Sequence, residues 1–246
     1  FGLAFTNSPP EKRQKFSTIR MNPSVKSGEE YIYTSTYSIP SYIAPMNDTT
    51  ITIENDVNYG INQFTEKRYD YYGQEYVRQR YIIIPYTMLP SKTLDYKISL
   101  GKLRQKNYPL YGSGELRYGA TDYITMGGGA EYVERKNLKD KIFPYTFSTL
   151  RFFDNVYMIA EFSPFVKSQI GLFWETLDFK RIDIQNLFYA QNKALNSRGM
   201  KNSTTLNFQL PFYSKSNYIT LNGSFSHNIL YSGQEDGADF GFSAKF

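Results

Sequence analysis

The stretch "ELRYGATDYITMGGGAEYVE", from Glu115 to Glu134, alternates polar and apolar residues on both sides of a short break at 119–122. A two-residue period is typical of a β-strand, because successive side chains of a strand point to opposite faces of the sheet. The break contains glycine and aspartate, which favour turns. The stretch therefore predicts two strands joined by a tight turn. The function depends on whether each face of the sheet contacts water, lipid or other parts of the protein.

Ten strands are predicted from residue 93 to the C-terminus, with lengths near the roughly 9 to 11 residues of a tilted transmembrane strand. The segments are 93–105, 111–118, 123–134, 144–153, 155–165, 169–178, 181–191, 204–212, 217–227 and 238–246. Short turns tend to alternate with long polar loops, as in outer-membrane barrels, whose short turns are periplasmic. The connection at 166–168 departs from this scheme, since the scheme requires a long loop there and the sequence has a short one.

The composition is rich in aromatic residues, with 23 tyrosines and 19 phenylalanines among 246 residues, and it contains no cysteine. Tyrosine and phenylalanine favour strands and gather at the membrane–water interface of membrane proteins. Without cysteine there is no disulfide framework and no thiolate metal site, so sheet pairing and burial must supply the stability.

The hydropathy excludes helical membrane spans but is compatible with a barrel. The apolar runs are short, such as "YIIIP" at 81–85, whereas a membrane helix requires roughly 18 to 20 residues. A transmembrane barrel needs apolar residues on one face of each strand only, so a mean hydropathy of −0.50 fits that class. The predicted fold is all-β, an antiparallel transmembrane β-barrel of about 10–12 strands, or a fragment of a larger barrel.

The alternation within strands leaves one alternative open. In "TTLNFQLPF" at 204–212, leucine and phenylalanine face one way while threonine, asparagine and glutamine face the other, but at 155–162 Ile159 shares a face with Glu161. Alternation by itself does not distinguish a membrane barrel from a soluble β-sandwich or a soluble barrel with a binding function, in which the apolar face would point inward.

The last strand favours the membrane barrel. The sequence "ADFGFSAKF" places Phe240, Phe242 and Phe246 on one face and ends the chain with phenylalanine. It resembles the C-terminal β-signal by which the barrel insertion machinery recognises outer-membrane proteins. That resemblance implies a role in membrane insertion for these three phenylalanines.

The first 90 residues differ in character from the rest. Residues 1–30 are rich in proline and charge, which predicts an irregular segment, whereas 31–90 contain strand patterns at 30–40, 48–60 and 75–86. We expect 31–90 to form a small β or plug-like region, or further barrel strands, and 91–246 to form the barrel. The chain starts at Phe1 without a signal peptide, which suggests a processed chain or a fragment of a longer one.

Charged residues on the predicted polar face are candidates for lining a lumen. They are Glu115, Arg117, Glu131, Arg151 and Glu161. Rings of mixed charge can tune permeation or hold a plug. A structural alternative is that these residues pair across strands to fill a narrow interior.

Two stretches resemble fimbrial outer-membrane ushers: "YYGQEYVRQRYIIIPYTMLPSKTLDYKISLGKLRQ" at 71–105 and "ELRYGATDYITMGGGAEY" at 115–132. The residues that fit the family pattern are Pro85, Tyr86, Leu94, Tyr96, Gly101, Arg104, Tyr118, Gly119, Thr121, Thr125, Gly127 and Gly128. The resemblance implies a gated pore that exports folded subunits joined by donor-strand complementation. Ushers have a larger barrel, a plug and periplasmic domains, so this chain would be a fragment or a smaller barrel.

Catalytic, cofactor and metal sites receive no support. His227 is the only histidine, and the acidic stretch at 233–239 lacks the ligand order of a calcium loop. No nucleophile motif appears, so we predict a protein that is not an enzyme and carries no cofactor. The formal charge of +5 is dispersed through turns and loops, which favours anionic lipid or lipopolysaccharide over nucleic acid.

The expected location is the bacterial outer membrane, and two functional classes remain beside the soluble alternative. The first is a pore of usher type for protein translocation or assembly. The second is a small structural or passive channel barrel within a cell-envelope complex. Expected partners are the lipid bilayer, lipopolysaccharide, the barrel insertion machinery, and other envelope proteins or translocated subunits.

Overall fold

A computed structural model describes residues 2–7, 15–35, 40–102, 110–134, 141–176, 180–191, 199–214, 217–232 and 235–245. These residues form nineteen strands and no helix. In that part of the chain, no helix is long and apolar enough to cross a membrane. The chain divides into two compact units, one made of 1–9 and 87–246 and the other of 10–86.

The strands are named here in chain order. They are β1 (Gly2–Thr6), β2 (Lys15–Met21), β3 (Ser24–Val25), β4 (Glu30–Ser35), β5 (Ser41–Ile43), β6 (Thr49–Thr50), β7 (Ile53–Asn58), β8 (Gly60–Tyr69), β9 (Glu75–Ile84), β10 (Leu94–Lys102), β11 (Leu110–Thr121), β12 (Ile124–Val133), β13 (Ile142–Phe153), β14 (Val156–Phe162), β15 (Lys167–Glu175), β16 (Arg181–Tyr189), β17 (Met200–Ser214), β18 (Asn217–Leu230) and β19 (Glu235–Lys245).

The first unit is one antiparallel sheet of eleven strands, which confirms the all-β antiparallel fold. The strand order is β1 followed by β10 to β19 in sequence, so from β10 onward each strand pairs with its neighbour in the chain. All ten predicted strands are present in the predicted order. The short connection at 163–166 is a tight turn, in which the amide of Val166 donates to the carbonyl of Ser163.

The boundaries differ from the prediction where polar residues continue a ladder. Strand β17 begins at Met200, four residues before the predicted start at 204, and β18 runs three residues beyond the predicted end at 227. Pairing of β17 with β18 extends through Asn202 opposite Ile229 and Ser203 opposite Asn228. Backbone pairing with a neighbour keeps these residues extended, although their side chains lack a regular apolar alternation.

The N-terminal segment corrects the expectation that residues 1–30 are irregular. It contains β1, β2 and β3, and β1 belongs to the large sheet, with Gly2 opposite Gly101 and Thr6 opposite Lys97. The compact units divide at 9/10 and 86/87, so 1–30 is not one segment. Strand β1 has five residues, too few to show a period, and its partner lies more than 90 positions away in the chain.

The second unit consists of short antiparallel sheets with their own apolar core. Strand β2 pairs with β7, β3 pairs with β6, and a four-stranded sheet has the order β5, β4, β8, β9. The most buried side chains there include Val25, Tyr31, Tyr33, Phe64 and Ile82. Its β7–β8 turn depends on Gly60, whose φ is +89°, and on the buried amide of Asn62, which bonds to both main-chain groups of Asn58 at 2.7 Å.

The two outer strands of the large sheet run in the same direction. Eleven strands that are antiparallel to each neighbour place β1 and β19 parallel, and among the described residues no ladder joins them. Bacterial single-chain barrels close with an even number of antiparallel strands. To close into a barrel with antiparallel pairs only, this sheet would therefore need an odd number of further strands. If β1 paired directly with β19, that pair would be parallel.

Candidate functional site

The register divides the large sheet into two faces. Residues directly opposite each other in an antiparallel pair point to the same side, so each ladder passes a face on to the next strand. We call the side that carries Glu115 the polar face and the side that carries Leu116 the apolar face. The polar face continues through Tyr145, Phe173, Asp183, Asn207 and Asn222.

All five candidate lumen residues lie on the polar face. Glu115 and Arg117 are on β11, and Glu131, Arg151 and Glu161 are on β12, β13 and β14. One row illustrates the continuity, because Arg117 is opposite Gly127, Gly127 is opposite Phe147, and Phe147 is opposite Glu161. The shared face agrees with the alternation in the sequence, and the lining of a lumen stays a prediction.

The glycine run in β12 lets an aromatic ring cross a strand. Glu115, Gly129 and Tyr145 form one row over β11, β12 and β13, and the Tyr145 hydroxyl donates to Oε2 of Glu115 at 2.8 Å. A Cβ at position 129 would lie 2.9 Å from Cζ of Tyr145 and 2.2 Å from the carbonyl oxygen of Gly114. Glycine is therefore required at 129, since a side chain there would push the ring away.

The neighbouring row, formed by Arg117, Gly127 and Phe147, has the same arrangement with a cation in place of the carboxylate. The guanidinium carbon of Arg117 lies 5.3 Å from the centre of the Phe147 ring, within the range of a cation–π contact, and Arg117 also forms an ion pair with Glu115. A Cβ at Gly127 would lie 2.5 Å from Cζ of Phe147. The two glycines on the polar face thus bring Glu115, Arg117 and two aromatic rings into one cluster.

Two of the remaining candidates, Glu131 and Arg151, have contacts of their own. The hydroxyl of Tyr111 donates to Oε1 of Glu131 at 3.4 Å. Arg151 is only 8% exposed; its guanidinium stacks on Tyr123 at 4.8 Å from the ring centre, and its Nη2 donates to the carbonyl of Asp122 at 3.3 Å. Arg151 therefore braces the short turn after β11.

A second cluster on the polar face was not among the sequence predictions. Nε of Arg181 donates to both carboxylate oxygens of Asp183 at 2.8 and 2.9 Å, and Tyr157 stacks on Phe173 with 5.0 Å between ring centres. A cavity of about 590 Å³ lies beside the Arg181–Asp183 pair; the amide and hydroxyl side chains at its wall are Asn207, Gln209, Asn222, Ser224 and Ser243. The alternation in "RIDIQ" at 181–185 is a signal that could have identified the ion pair.

The exposure of the two faces is opposite to that of a soluble sheet. Polar-face residues such as Asp95, Arg151 and Asp183 are less than 9% exposed. Large side chains of the apolar face are exposed on strand after strand, for example Leu100, Leu116, Ile142, Phe162, Phe188 and Phe240. Contiguous apolar surface of this kind marks contact with a membrane or with another protein.

The structure describes only part of the predicted insertion signal, which consists of Phe240, Phe242 and Phe246. Phe240 is 70% exposed on the apolar face, and its ring centre lies 4.9 Å from that of Phe225. The backbone of Phe242 pairs with Gly223 on β18. Phe246 lies outside the described residues. The role of these residues as an insertion signal stays a prediction.

Several of the usher-like residues meet at one end of the β11–β12 hairpin. Gly119 donates to the carbonyl of Thr93 at 2.9 Å, and its own carbonyl accepts from the amide of Lys92 at 2.7 Å. The hydroxyl of Thr125 accepts from the amide of Leu89 at 2.8 Å. A Cβ at 119 would lie 2.1 Å from the carbonyl oxygen of Pro90, so glycine permits this close packing. Arg104 lies outside the described residues.

The comparisons with known proteins give likenesses of structure only. The sequence matches no protein-family model and no curated protein. Two solved structures are similar, described as "Structure of the P pilus usher (PapC) translocation pore" and "Crystal structure of Usher PapC translocation pore". Their TM-scores are 0.47 and 0.41, each at 12% identity, and they cover 99% and 94% of this chain. The chain spans about half of their length, 53% and 54%.

Replacement of Gly129 by alanine is expected to destabilise the sheet. The new methyl group must displace the Tyr145 ring and the β11 backbone, and overpacking of this kind costs about 1–3 kcal/mol. The measurement is the midpoint of urea unfolding of the protein folded in lipid vesicles. The matched control is Gly114→Ala, because a Cβ at 114 meets nothing within 4 Å. Equal midpoints for the two variants would contradict the packing described for β12.

Proposed function

We propose that the eleven-stranded sheet forms the wall of a pore in the bacterial outer membrane, with the apolar face in the hydrocarbon and the polar face towards water. The observation that carries this proposal is the exposure of large apolar side chains along one whole face of the sheet. Full burial of one such side chain stabilises a protein by about 1.5–3 kcal/mol, so leaving an entire face in water would be costly.

The polar face supports the same orientation. Several of its charged groups are paired or hydrogen-bonded, as in the Glu115–Arg117–Tyr145 cluster and the Arg181–Asp183 pair. Side chains of this type suit the interior of a small pore, where they meet water and one another. A soluble β-sandwich would instead pack its apolar face inward and present its polar face to solvent, so the burial pattern argues against the soluble alternative.

Within the class of pores, we favour a translocation pore of usher type. The usher-like stretches at 71–105 and 115–132 support it. The compact unit 10–86 supports it as well, because in the sequence it lies between β1 and β10, two strands that pair with each other. A folded unit tethered at both ends to adjacent wall strands is suited to act as a gate or plug. The proposed cargo is other envelope proteins or pilus-like subunits.

The passive channel remains the second candidate, supported by the Glu115–Arg117 ion pair and the contact of Arg151 with the Tyr123 ring, which hold charged groups on the polar face without any need for a moving part. For both candidates we propose lipid and lipopolysaccharide as the surroundings of the apolar face and the barrel insertion machinery as a partner in assembly. Conductance separates them, because only a gated pore contains a unit whose removal opens it.

The single tryptophan provides a direct test of membrane orientation. Trp174 lies on the apolar face, opposite Val156 and Ile182. In vesicles that contain brominated phospholipids, its fluorescence is expected to be strongly quenched. The control is the double variant Trp174→Phe with Gln209→Trp, which places the indole at the polar-face cavity. Quenching of the control as strong as that of the native protein would refute the orientation.

A lysine scan at the middle of β16 tests the same orientation energetically. Ile184 is 44% exposed on the apolar face, and its neighbour Gln185 lies on the polar face. In a bilayer, Ile184→Lys is expected to lower the free energy of unfolding by about 2–4 kcal/mol. Gln185→Lys should change it little. In a soluble protein the exposed site 184 would accept lysine at little cost, so equal stabilities would support the soluble alternative.

Removal of residues 10–86 tests the gate. The side chain of Asn7 bonds to the carbonyl of Leu94 and the amide of Tyr96, each at 2.9 Å, so β1 keeps its own anchor to β10. With 10–86 replaced by a short Gly/Ser linker, conductance across planar bilayers is expected to rise. The control carries the same linker between 86 and 87 in the full chain. Unchanged conductance would favour the passive channel.

A further inference from the structure

The outer half of β9 is exposed to an unusual degree. Residues 75–80 are exposed on both faces of the strand, including Tyr76 and Val77 at 52% each, whereas Ile82, Ile83 and Ile84 at the other end are buried. Strand β9 is the last strand of its sheet, so one of its edges meets no strand among the described residues. An exposed, extended edge is a template for pairing with another chain.

The hydrogen-bonding groups on this edge can be identified. The amide of Asp70 donates to the carbonyl of Gln74 at 3.1 Å, and from this pair the β8–β9 register continues without a bulge. Bonded and non-bonded pairs alternate along an antiparallel ladder. Asp70–Gln74 is a bonded pair, so the third pair along the ladder, Lys67–Val77, is non-bonded. The amide and carbonyl of Val77 therefore point away from β8, towards the open edge. Those of Glu75 and Gln79 point the same way.

A cavity of about 470 Å³ adjoins this edge. Tyr76, Val77 and Arg78 of β9 form one wall of it. Tyr31 and Arg68 continue the row of Tyr76 across the sheet, since Tyr31 is opposite Arg68 and Arg68 is opposite Tyr76. The cavity volume is in the range that holds a small molecule or a large side chain.

A buried tyrosine lines the cavity. Tyr31 is 1% exposed, and its hydroxyl has no hydrogen-bond partner among the described residues. Burial, with a further contribution from the charge of Glu66, raises the pKa of Tyr31 to about 12, so the hydroxyl is neutral at physiological pH. A buried polar group without a partner is destabilising, and a ligand group that bonds to it would remove that cost.

The charges around the cavity favour a cationic ligand group. The lining contains three carboxylates, those of Glu29, Glu66 and Asp70, and two guanidinium groups, those of Arg68 and Arg78, which leaves one net negative charge. Arg68 and Glu29 are engaged with each other at 3.9 Å, and Arg68 also donates to the carbonyl of Ser24 at 3.0 Å. The carboxylate of Asp70 accepts from the amides of Tyr72 and Gln74 at 2.9 Å each. An ammonium group can donate to a carboxylate and to the oxygen of the Tyr31 hydroxyl at the same time.

We propose that the edge of β9 and this cavity form a binding site for an extended polypeptide segment with a lysine or arginine side chain. The segment adds as a further strand, with its main chain bonded to the outward groups of Val77, and its basic side chain enters the cavity. In this mode the main-chain bonds supply affinity and the side-chain pocket supplies specificity. The site lies wholly within the unit 10–86 and does not rest on the proposed pore.

The test uses the full chain in detergent and fluorescein-labelled peptides of the sequence Thr-Val-Thr-Xaa-Thr-Val-Thr, where Xaa is lysine, norleucine or glutamate. Fluorescence anisotropy is expected to show binding of the lysine peptide at least tenfold tighter than of the norleucine peptide, with the glutamate peptide weakest. No binding of the lysine peptide, or equal binding of all three peptides, would overturn the proposal.

Two substitutions separate the edge from the cavity. Val77→Pro removes one outward donor and leaves the β8–β9 bonds in place, so it should weaken all binding at least tenfold, whereas the control Val77→Ala should not. Tyr31→Phe removes only the hydroxyl, so it should reduce the preference for lysine over norleucine while the norleucine peptide binds as before. Circular dichroism and unfolding midpoints confirm that each variant is folded. Unaltered lysine-peptide affinity in both Val77→Pro and Tyr31→Phe would refute the site.

Discussion

The structure of the large unit depends on an antiparallel register that is propagated from β10 to β19. Because side chains alternate along a strand, a slip of one residue in any ladder would transfer every side chain of that strand to the opposite face. The register therefore keeps Leu206 and Phe208 on one side and Asn207 and Gln209 on the other across the whole sheet. The separation of a polar from an apolar face, and every functional argument that uses it, follows from this pairing.

On the polar face, glycines of β12 leave room for aromatic rings from the neighbouring strand β13. A ring on β13 can contact a charged group on β11 only when the residue between them on β12 has no side chain. Gly129 allows Tyr145 to reach Glu115, and Gly127 allows Phe147 to lie beneath Arg117. The cluster therefore gains hydrogen bonds and ring contacts and accepts, in exchange, the lower strand propensity of glycine.

The two units present different kinds of surface. The large sheet offers an apolar face that suits hydrocarbon and has little hydrogen-bonding capacity beyond its ladders. The unit 10–86 offers outward main-chain groups along β9, which pair with no further strand in the described part of the chain, beside a charged cavity that suits a polypeptide strand. A protein that combines the proposed membrane wall with the proposed strand-accepting edge would meet lipid and a polypeptide through different residues. This combination agrees with the proposed translocation pore, although each site is defined by its own residues.

The two-residue period in the sequence determined the ten strands from β10 to β19, their order and, within each strand, which residues share a face, because alternation is a local property of each segment. That Glu115, Arg117, Glu131, Arg151 and Glu161 share one face of the whole sheet depends on the register between strands. Only the tertiary structure decided the rest. The pairing of β1 with β10, the reach of Tyr145 over Gly129 and the Arg181–Asp183 pair depend on contacts between residues or strands that the period does not specify. The exposure of the apolar face and of the β9 edge likewise depends on which neighbours surround each strand, and a local pattern contains no information about those neighbours.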